Sequence, residues 1–294
     1  MSASPYLLLT LTALFWASNF VVGRAIHGAV PPIALAFWRW AIALILLLPF
    51  AAREVQGSRV ALRRHWRLIV ALGVLGIGAF NTLIYVALAS TTATNALLLN
   101  STIPVIIVIL SWLFLRQALS RTQACGVALS LAGVLVIVFH GDWSGVRSLH
   151  FNSGDAWIFV AAVVWAVYTI LLRRRPLDIH PLAFLLVMIG IGLLAVAPFY
   201  AIEYTQGARM QLSWSVVGAL LYVGIFPSVV ANIFWNQGVT AVGASRTGVF
   251  IHLMPVFGTC LAVTFLGEVL HLYHVAGIVL ILLGIVLVTR ATPR

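Results

Sequence analysis

Ten long apolar runs constrain this sequence more than any other feature. A transmembrane helix needs about 20 mostly apolar residues to cross roughly 30 Å of hydrocarbon. Runs of that kind cover residues 5–24, 32–51, 67–89, 93–115, 121–140, 155–172, 181–202, 213–237, 244–266 and 272–290. Only 8% of the residues are charged, whereas a soluble domain has about a quarter. We therefore predict an all-α membrane protein with ten transmembrane helices and the lipid bilayer as its solvent.

The arginines indicate how these helices are oriented. If the N-terminus is cytoplasmic, the cytoplasmic side holds 13 of the 17 basic residues, namely Arg53, Arg59, Arg63, Arg64, Arg67, Arg116, Arg121, Arg173, Arg174, Arg175, Arg246, Arg290 and Arg294. The other side holds only Arg24, Arg39, Arg147 and Arg209. Because basic residues accumulate in cytoplasmic loops, both termini are predicted to be cytoplasmic. The same distribution accounts for the net charge of +11 without nucleic-acid binding.

The sequence is also similar to itself. A shift of 151 residues places Asn81, Pro104, Leu119, Gly126 and Gly133 on Asn232, Pro255, Leu270, Gly277 and Gly284, and a shift of 149 places Trp16 on Trp165. We therefore predict two five-helix halves, residues 1–150 and 151–294. Because five is an odd number, the second half would enter the membrane from the opposite side. Such an inverted repeat suits transport by alternating access.

Two matched stretches carry a resemblance to a known family. Residues 100–134 read NSTIPVIIVILSWLFLRQALSRTQACGVALSLAGV, and residues 251–285 read IHLMPVFGTCLAVTFLGEVLHLYHVAGIVLILLGI. Together they resemble the EamA-type branch of the drug/metabolite transporter superfamily. The second stretch keeps the family's Gly-Glu pair as Gly267-Glu268, whereas the first has Arg116-Gln117. Within the family, the chain is similar to the YddG-type exporters of aromatic and other neutral amino acids.

Matched polar residues in the third and eighth runs are the first candidates for a substrate site. A polar side chain in lipid is costly unless it faces a partner or a watery cavity. Asn81 and Tyr85 lie four residues apart and therefore share a helix face, and Asn232 and Asn236 repeat this spacing. We predict that all four bind substrate in a central cavity. Hydrogen bonds that only hold the helices together are the alternative.

The fourth and ninth runs carry a second matched set. Asn100 and Ser101 precede Pro104, as His252 precedes Pro255. A proline inside a helix removes a backbone hydrogen bond and can kink the helix. We predict Asn100, Ser101 and His252 as substrate-binding residues, and Pro104 and Pro255 as the hinges of a gate or as static kinks. Because histidine titrates near neutral pH, His252 is also a candidate for proton coupling, with hydrogen-bonded packing or substrate contact as the alternative.

Aromatic residues occupy the middle of the first and sixth runs. Trp165 and Tyr168 lie three residues apart, at positions that match Trp16 and Asn19 in the first half. Together with Tyr85, they could form walls that stack against a planar group of the substrate. We predict Trp165 and Tyr168 as substrate-binding residues, and ordinary packing against neighbouring helices is the alternative.

Charged groups are scarce in the middle of the runs. All the acidic residues lie near run ends, namely Glu54, Asp142, Asp155, Asp178, Glu203 and Glu268. Among the basic residues only Arg39 comes near mid-depth, in the outer part of the second run. We therefore expect an uncharged pathway for a neutral or zwitterionic solute. No cofactor or metal site is expected, since His271 and His274 at a membrane edge would bind a metal only adventitiously.

These features predict a transporter of the bacterial inner (cytoplasmic) membrane. The absence of lysine beside 17 arginines fits a GC-rich bacterial genome. The expected substrates are small neutral metabolites, above all aromatic and other neutral amino acids, moved in the direction of export, and the protein could act as a monomer. Export of another neutral metabolite or a drug is the first alternative. A membrane-embedded enzyme is the second, disfavoured because the chain has neither an HExxH motif nor paired aspartates.

Overall fold

The computed structural model describes residues 4–26, 28–88, 90, 99–117, 119–142, 152–266 and 269–290. The long helices of the first half are α1 (Pro5–Ile26), α2 (Pro32–Gly57), α3 (66–88), α4 (Ile103–Leu115) and α5 (Arg121–Val138). A short helix, Arg59–Arg64, separates α2 from α3. The long helices of the second half are α6 (Ser153–Leu172), α7 (Pro181–Thr205), α8 (Trp214–Val242), α9 (244–266) and α10 (Leu272–Arg290).

Helix length and composition agree with the predicted membrane spans. Within the described residues there is no strand, and nine of the helices, all except α4, are long and apolar enough to cross a membrane. Helix α4 has only 13 residues, and residues 93–98 of the predicted fourth span lie outside the described part of the chain. The all-α membrane architecture is therefore confirmed for nine spans, and the tenth stays a prediction.

Polar residues at the membrane edge begin two of these helices. The Ser120 hydroxyl accepts from the Gln123 amide at 3.2 Å, and the Gln123 side chain accepts from the Ser120 amide at 3.0 Å. Asn152 and Asp155 make the same reciprocal pair at α6. Because such capping boxes satisfy amides that have no partner inside the helix, Asp155 has a structural role at the end of its span.

Helices α5 and α10 run antiparallel and make the closest backbone contact of the bundle. Gly126 faces Gly284, and Gly133 faces Gly277. A Cβ atom added at Gly133 would lie 2.6 Å from the Gly277 carbonyl oxygen. Small residues at these four positions let the two backbones approach, which is how membrane helices gain van der Waals contact without a hydrophobic driving force.

Helices α2 and α7 form a second antiparallel pair, which is held at both ends. The Glu203 carboxylate, near the end of α7, accepts hydrogen bonds from the amides of Ile33 and Ala34 at 3.0 and 2.7 Å. A carboxylate stabilises a helix N-terminus because it meets unpaired amides and the positive end of the helix dipole. At the other end of the pair, the His180 amide donates to the Ser58 hydroxyl at 3.3 Å.

Four further helices pack together in two contacts. Helix α1 packs on α8, and α3 packs on α6. The two contacts are equivalent, since α1 and α3 of the first half correspond to α6 and α8 of the second. In each contact a large side chain packs against a glycine of the other helix, Leu9 against Gly238 in one case and Tyr168 against Gly76 in the other. This arrangement brings side chains from both halves to the centre of the bundle.

Replacing Gly133 by alanine should separate α5 from α10. Overpacking typically costs about 1–3 kcal/mol, which exceeds the roughly 1 kcal/mol that alanine gains in helix propensity. We expect a lower thermal midpoint for Gly133→Ala in detergent micelles. Gly258→Ala, in α9, is the matched control, because a Cβ there meets no atom within 4 Å. Equal midpoints for the two variants would contradict the close contact.

Candidate functional site

A cluster of aromatic rings occupies the centre of the bundle. Trp16 of α1, Trp165 of α6 and Trp235 of α8 contact one another, with ring centroids 5.0 to 5.8 Å apart. Phe80 of α3 and Tyr168 of α6 extend the cluster, at 4.8 and 5.0 Å from Trp165. Because Trp16 and Phe80 belong to the first half and the others to the second, the central aromatic cluster joins the two halves.

Tyr168 connects this cluster to a polar residue of α8. Its hydroxyl donates a hydrogen bond to Asn236 Oδ1 at 3.0 Å, and both side chains are buried. The structure therefore brings together three of the residues predicted from sequence, Trp165, Tyr168 and Asn236. The indole Nε1 of Trp235 is buried and has no hydrogen-bond partner among the described residues.

Two π-helical segments lie beside the cluster at equivalent positions. Gly73–Ala79 interrupts α3, and Gly224–Val230 interrupts α8 exactly one repeat shift later in the sequence. The ring of Tyr168 lies against Gly76, where a Cβ atom would be only 2.5 Å from the ring. Segments of π-helix are rare and occur often at functional sites, and their presence in both halves was not expected from the sequence.

In α8 the π segment exposes backbone carbonyls that polar side chains satisfy. Pro227 has no amide hydrogen, and the Ser228 hydroxyl donates instead to the Val223 carbonyl at 2.8 Å. The Asn232 amide group donates to the Ser228 carbonyl at 2.9 Å. Trp16 Nε1 donates to the Pro227 carbonyl at 3.2 Å. Asn232 thus donates to carbonyls of its own helix, in the stretch that Trp16 also contacts.

Arg39 of the neighbouring helix α2 also contacts this π segment. Its side chain is only 4% exposed, and its Nε donates to the Ser228 hydroxyl at 2.9 Å. The guanidinium carbon also lies 5.0 Å from the ring centroid of Trp40. The expectation of a centre without charge therefore needs correction, because a buried cation is hydrogen-bonded to the segment that also contacts Trp16.

His252 joins three helices at a second place. Its Nε2 lies 3.0 Å from the Ser101 carbonyl oxygen, next to α4, and its Nδ1 lies 2.8 Å from the Ser130 hydroxyl of α5. A carbonyl oxygen can only accept, so Nε2 carries a hydrogen. The Ser130 hydroxyl lies within hydrogen-bond distance of both His252 Nδ1 and the Val127 carbonyl oxygen, which is 3.0 Å away, and in the neutral ring its one hydrogen is shared between these two acceptors. His252 therefore contacts the backbone of Ser101, another residue that the sequence analysis selected.

The matched prolines follow breaks in their helices instead of lying in the middle of them. Pro104 is in the first turn of α4, directly after a turn at 101–102. Pro255 is in the first turn of the segment Leu253–Leu266, after a 3₁₀ turn at Val249–His252. In the first turn a proline has few helical hydrogen bonds to remove. The sequence therefore located the discontinuities correctly but attributed them to mid-helix kinks.

Comparison with known proteins identifies the family. The model of the EamA-like transporter family matches residues 3–139 and again residues 152–290. The chain belongs to the EamA-like transporter family. The resemblance seen in the sequence is thereby confirmed, and the protein is a multi-pass membrane transporter.

Relatives of this EamA-like transporter cover nearly its whole length. It is 28% identical to the uncharacterized transporter YyaM of Bacillus subtilis (strain 168), over 95% of this chain and 92% of that one. It is 25% identical to a probable terminal-alkyne amino-acid exporter of Streptantibioticus cattleyicolor, over 97% and 93% of the two chains. A solved crystal structure, at 22% identity, has a TM-score of 0.78 over 96% of this chain and 95% of its own, which supports the fold alone.

For three of the predicted residues, no hydrogen bond to the aromatic cluster or to its polar neighbours is observed. Asn81 is half-buried in α3, next to Phe80. Asn100 Oδ1 is buried and has no hydrogen-bond partner among the described residues. The side chain of Tyr85 lies outside the described part of the structure, as does Glu268. Among the described residues, no group of three histidine, cysteine or acidic side chains could hold a metal ion.

The sequence analysis missed Trp235, Phe80 and the role of Arg39. Repeat matching could not find Trp235, because its counterpart at a shift of 151 is Ile84. Helical spacing could have found it, since it lies three residues after Asn232 and so shares its face. Nothing in the local sequence shows that Arg39 contacts α8, because that contact joins residues 189 positions apart.

The hydrogen bond between His252 and Ser130 should be measurable as a coupling energy. We expect His252→Ala and Ser130→Ala each to lower the free energy of unfolding. The double variant should lose less of it than the sum of the two single losses. The expected coupling is about 0.5–1.5 kcal/mol, the net value of one buried hydrogen bond, measured by reversible unfolding in mixed micelles. Thr264→Ala, exposed on the same helix, is the control. Strict additivity of His252→Ala and Ser130→Ala would show that the bond contributes nothing.

Proposed function

We propose that this transporter exports small neutral or zwitterionic metabolites, with aromatic and other neutral amino acids as the preferred class. The observation that carries the proposal is the central aromatic cluster, to which both halves contribute rings. Aromatic faces stack well on planar groups and bury a large apolar area. The Asn236 and Asn232 amides beside the rings supply polar groups for the main-chain end of an amino acid.

Alternating access is the proposed mode of action, with residues 1–150 and 151–294 as inverted halves. Helices α5 and α10 occupy the same position in the two halves and run antiparallel, as corresponding helices of an inverted repeat do. Gly126 faces Gly284 and Gly133 faces Gly277. The repeat shift instead pairs Gly126 with Gly277 and Gly133 with Gly284, so it exchanges the two contacts, as a two-fold relation between the halves requires. The two matches of the family model and the two equivalent π segments support the same division.

The proposed substrate-binding residues are those on and beside the aromatic cluster. They are Trp165, Tyr168, Asn232, Asn236, Asn81 and Tyr85, with Asn100, Ser101 and His252 at the neighbouring helix breaks. Pro104 and Pro255 follow these breaks, where a change of backbone direction is least costly, and we assign the gates to them. His252 is assigned to proton coupling, because the Ser130 hydroxyl can either donate to Nδ1 or accept from it.

The solute class follows from the charges that the spans contain. All acidic side chains of the sequence lie near span ends, so a site for multivalent cations would lack its counter-charges. The relative from Streptantibioticus cattleyicolor, named a probable terminal-alkyne amino-acid exporter, supports amino acids as cargo. A bacterial inner membrane, with both termini in the cytoplasm and a monomeric protein in lipid, is the proposed setting.

Uptake into proteoliposomes tests the proposed cargo. We expect saturable uptake of labelled phenylalanine and tryptophan, reduced by unlabelled neutral amino acids. Trp165→Ala should raise KM about ten-fold or more, since a buried aromatic contact is worth on the order of 1.5 kcal/mol or more. Trp157→Ala is the matched control, because Trp157 lies on the same helix but is exposed toward lipid. No uptake would exclude amino acids and direct the search to other neutral metabolites or drugs.

A pH gradient across the same vesicles tests the role assigned to His252. If the ring carries a coupling proton, the gradient should accelerate uptake by the wild-type protein, and His252→Gln should abolish this acceleration while keeping uptake at equal pH. A gradient effect that persists in His252→Gln would remove the histidine from the coupling mechanism. Ser130→Ala should weaken the gradient effect without abolishing it.

A further inference from the structure

Arg39 is a cation buried within a membrane span. It lies five residues beyond Ala34, whose amide is bound by Glu203, or roughly 8 Å further along the helix at 1.5 Å per residue. Charged side chains at such positions are costly and mark functional sites by default. A guanidinium presents five donors in a planar fork that matches a carboxylate.

The surroundings of Arg39 connect it with the central aromatic cluster. Its Nε binds the side chain of Ser228, and Trp16 Nε1 binds the carbonyl of the preceding residue, Pro227. Consecutive Cα atoms are about 3.8 Å apart, so the cation and the indole contact one short stretch of α8. Asn232 donates to carbonyls of the same stretch.

This placement matches the chemistry of a zwitterionic amino acid. Such a solute carries a carboxylate, which needs a cation or several donors once it leaves water. Arg39 is hydrogen-bonded to the π segment, whereas Arg173, at the end of α6, donates to the Val239 carbonyl. The amino group and ring of the same solute would face amide and aromatic groups.

We propose that Arg39 binds the carboxylate of the transported solute and thereby selects amino acids over amines and amides. The inference rests on the proposed function, because it requires an amino-acid substrate. The planar fork of the guanidinium holds the carboxylate. The hydrogen bond from Arg39 Nε to Ser228 orients the side chain toward α8. The π segment of α8, which contacts both Arg39 and Trp16, positions the carboxylate relative to the aromatic cluster.

Binding of phenylalanine and of phenylalaninamide to the purified full-length transporter, measured calorimetrically in detergent, tests this assignment. The amide keeps the ring and the amino group but lacks the carboxylate. We expect the wild-type protein to bind phenylalanine about 10- to 100-fold more tightly, the usual effect of losing a hydrogen bond to a charged group. Arg39→Gln should reduce this ratio to near one while leaving the Kd of the amide unchanged.

Two further variants separate recognition from structural support. Arg209→Gln makes the same change at an exposed arginine and should keep the wild-type ratio. Arg39→Lys keeps the charge but not the planar fork, so it should give an intermediate ratio and remains informative if Arg39→Gln does not fold.

Three results would overturn the assignment. Arg39→Gln or Arg39→Lys could weaken both ligands equally, which would make the residue a structural link between α2 and α8. Equal binding of phenylalanine and its amide by the wild-type protein would exclude carboxylate recognition by Arg39. It would not contradict amino-acid transport. A wild-type protein that neither binds nor transports phenylalanine would end the proposed function as well, and the uptake experiment reports that failure independently.

Discussion

A peptide backbone in lipid has no water with which to pair its polar groups, so every amide and carbonyl needs a partner within the protein. Regular helices meet this requirement along most of the described chain. The departures from regular α-helix occur at the π segments of α3 and α8, at the turn before α4 and at the 3₁₀ turn in α9. The π segments lie beside the central aromatic cluster, and the other two breaks meet where His252 contacts Ser101, so in each place polar side chains bond to backbone carbonyls.

This requirement explains why the polar residues of the site have structural partners. Asn232 and Trp16 bind carbonyls of the π segment in α8, and Ser228 binds the Val223 carbonyl just before it. In α3, the Thr82 hydroxyl donates to the Gly78 carbonyl at 2.7 Å. If these groups also bind substrate, binding exchanges one hydrogen bond for another instead of creating an unsatisfied group. Such exchange costs little free energy, which is favourable for a carrier that must release its cargo.

The surrounding helix pairs provide the rigid part of the architecture. Helices α5 and α10 touch through backbone atoms at Gly126 and Gly133, and α2 is bound to α7 at both ends. The central contacts of α1 with α8 and of α3 with α6 are made by large side chains that lie against Gly238 and Gly76.

The sequence by itself determined the all-helical membrane architecture and the family, because lipid imposes length and apolar composition on each helix separately. Repeat symmetry and helix spacing also selected Trp165, Tyr168 and Asn236 as candidates, and the structure brings these three side chains together. Only the tertiary structure placed Trp235 beside Trp16, brought Arg39 to Ser228 and showed that the helix breaks precede Pro104 and Pro255. These features depend on which helix faces pack together, and that choice is made by contacts between residues far apart in sequence, such as the glycines of α5 and α10, which no local pattern encodes.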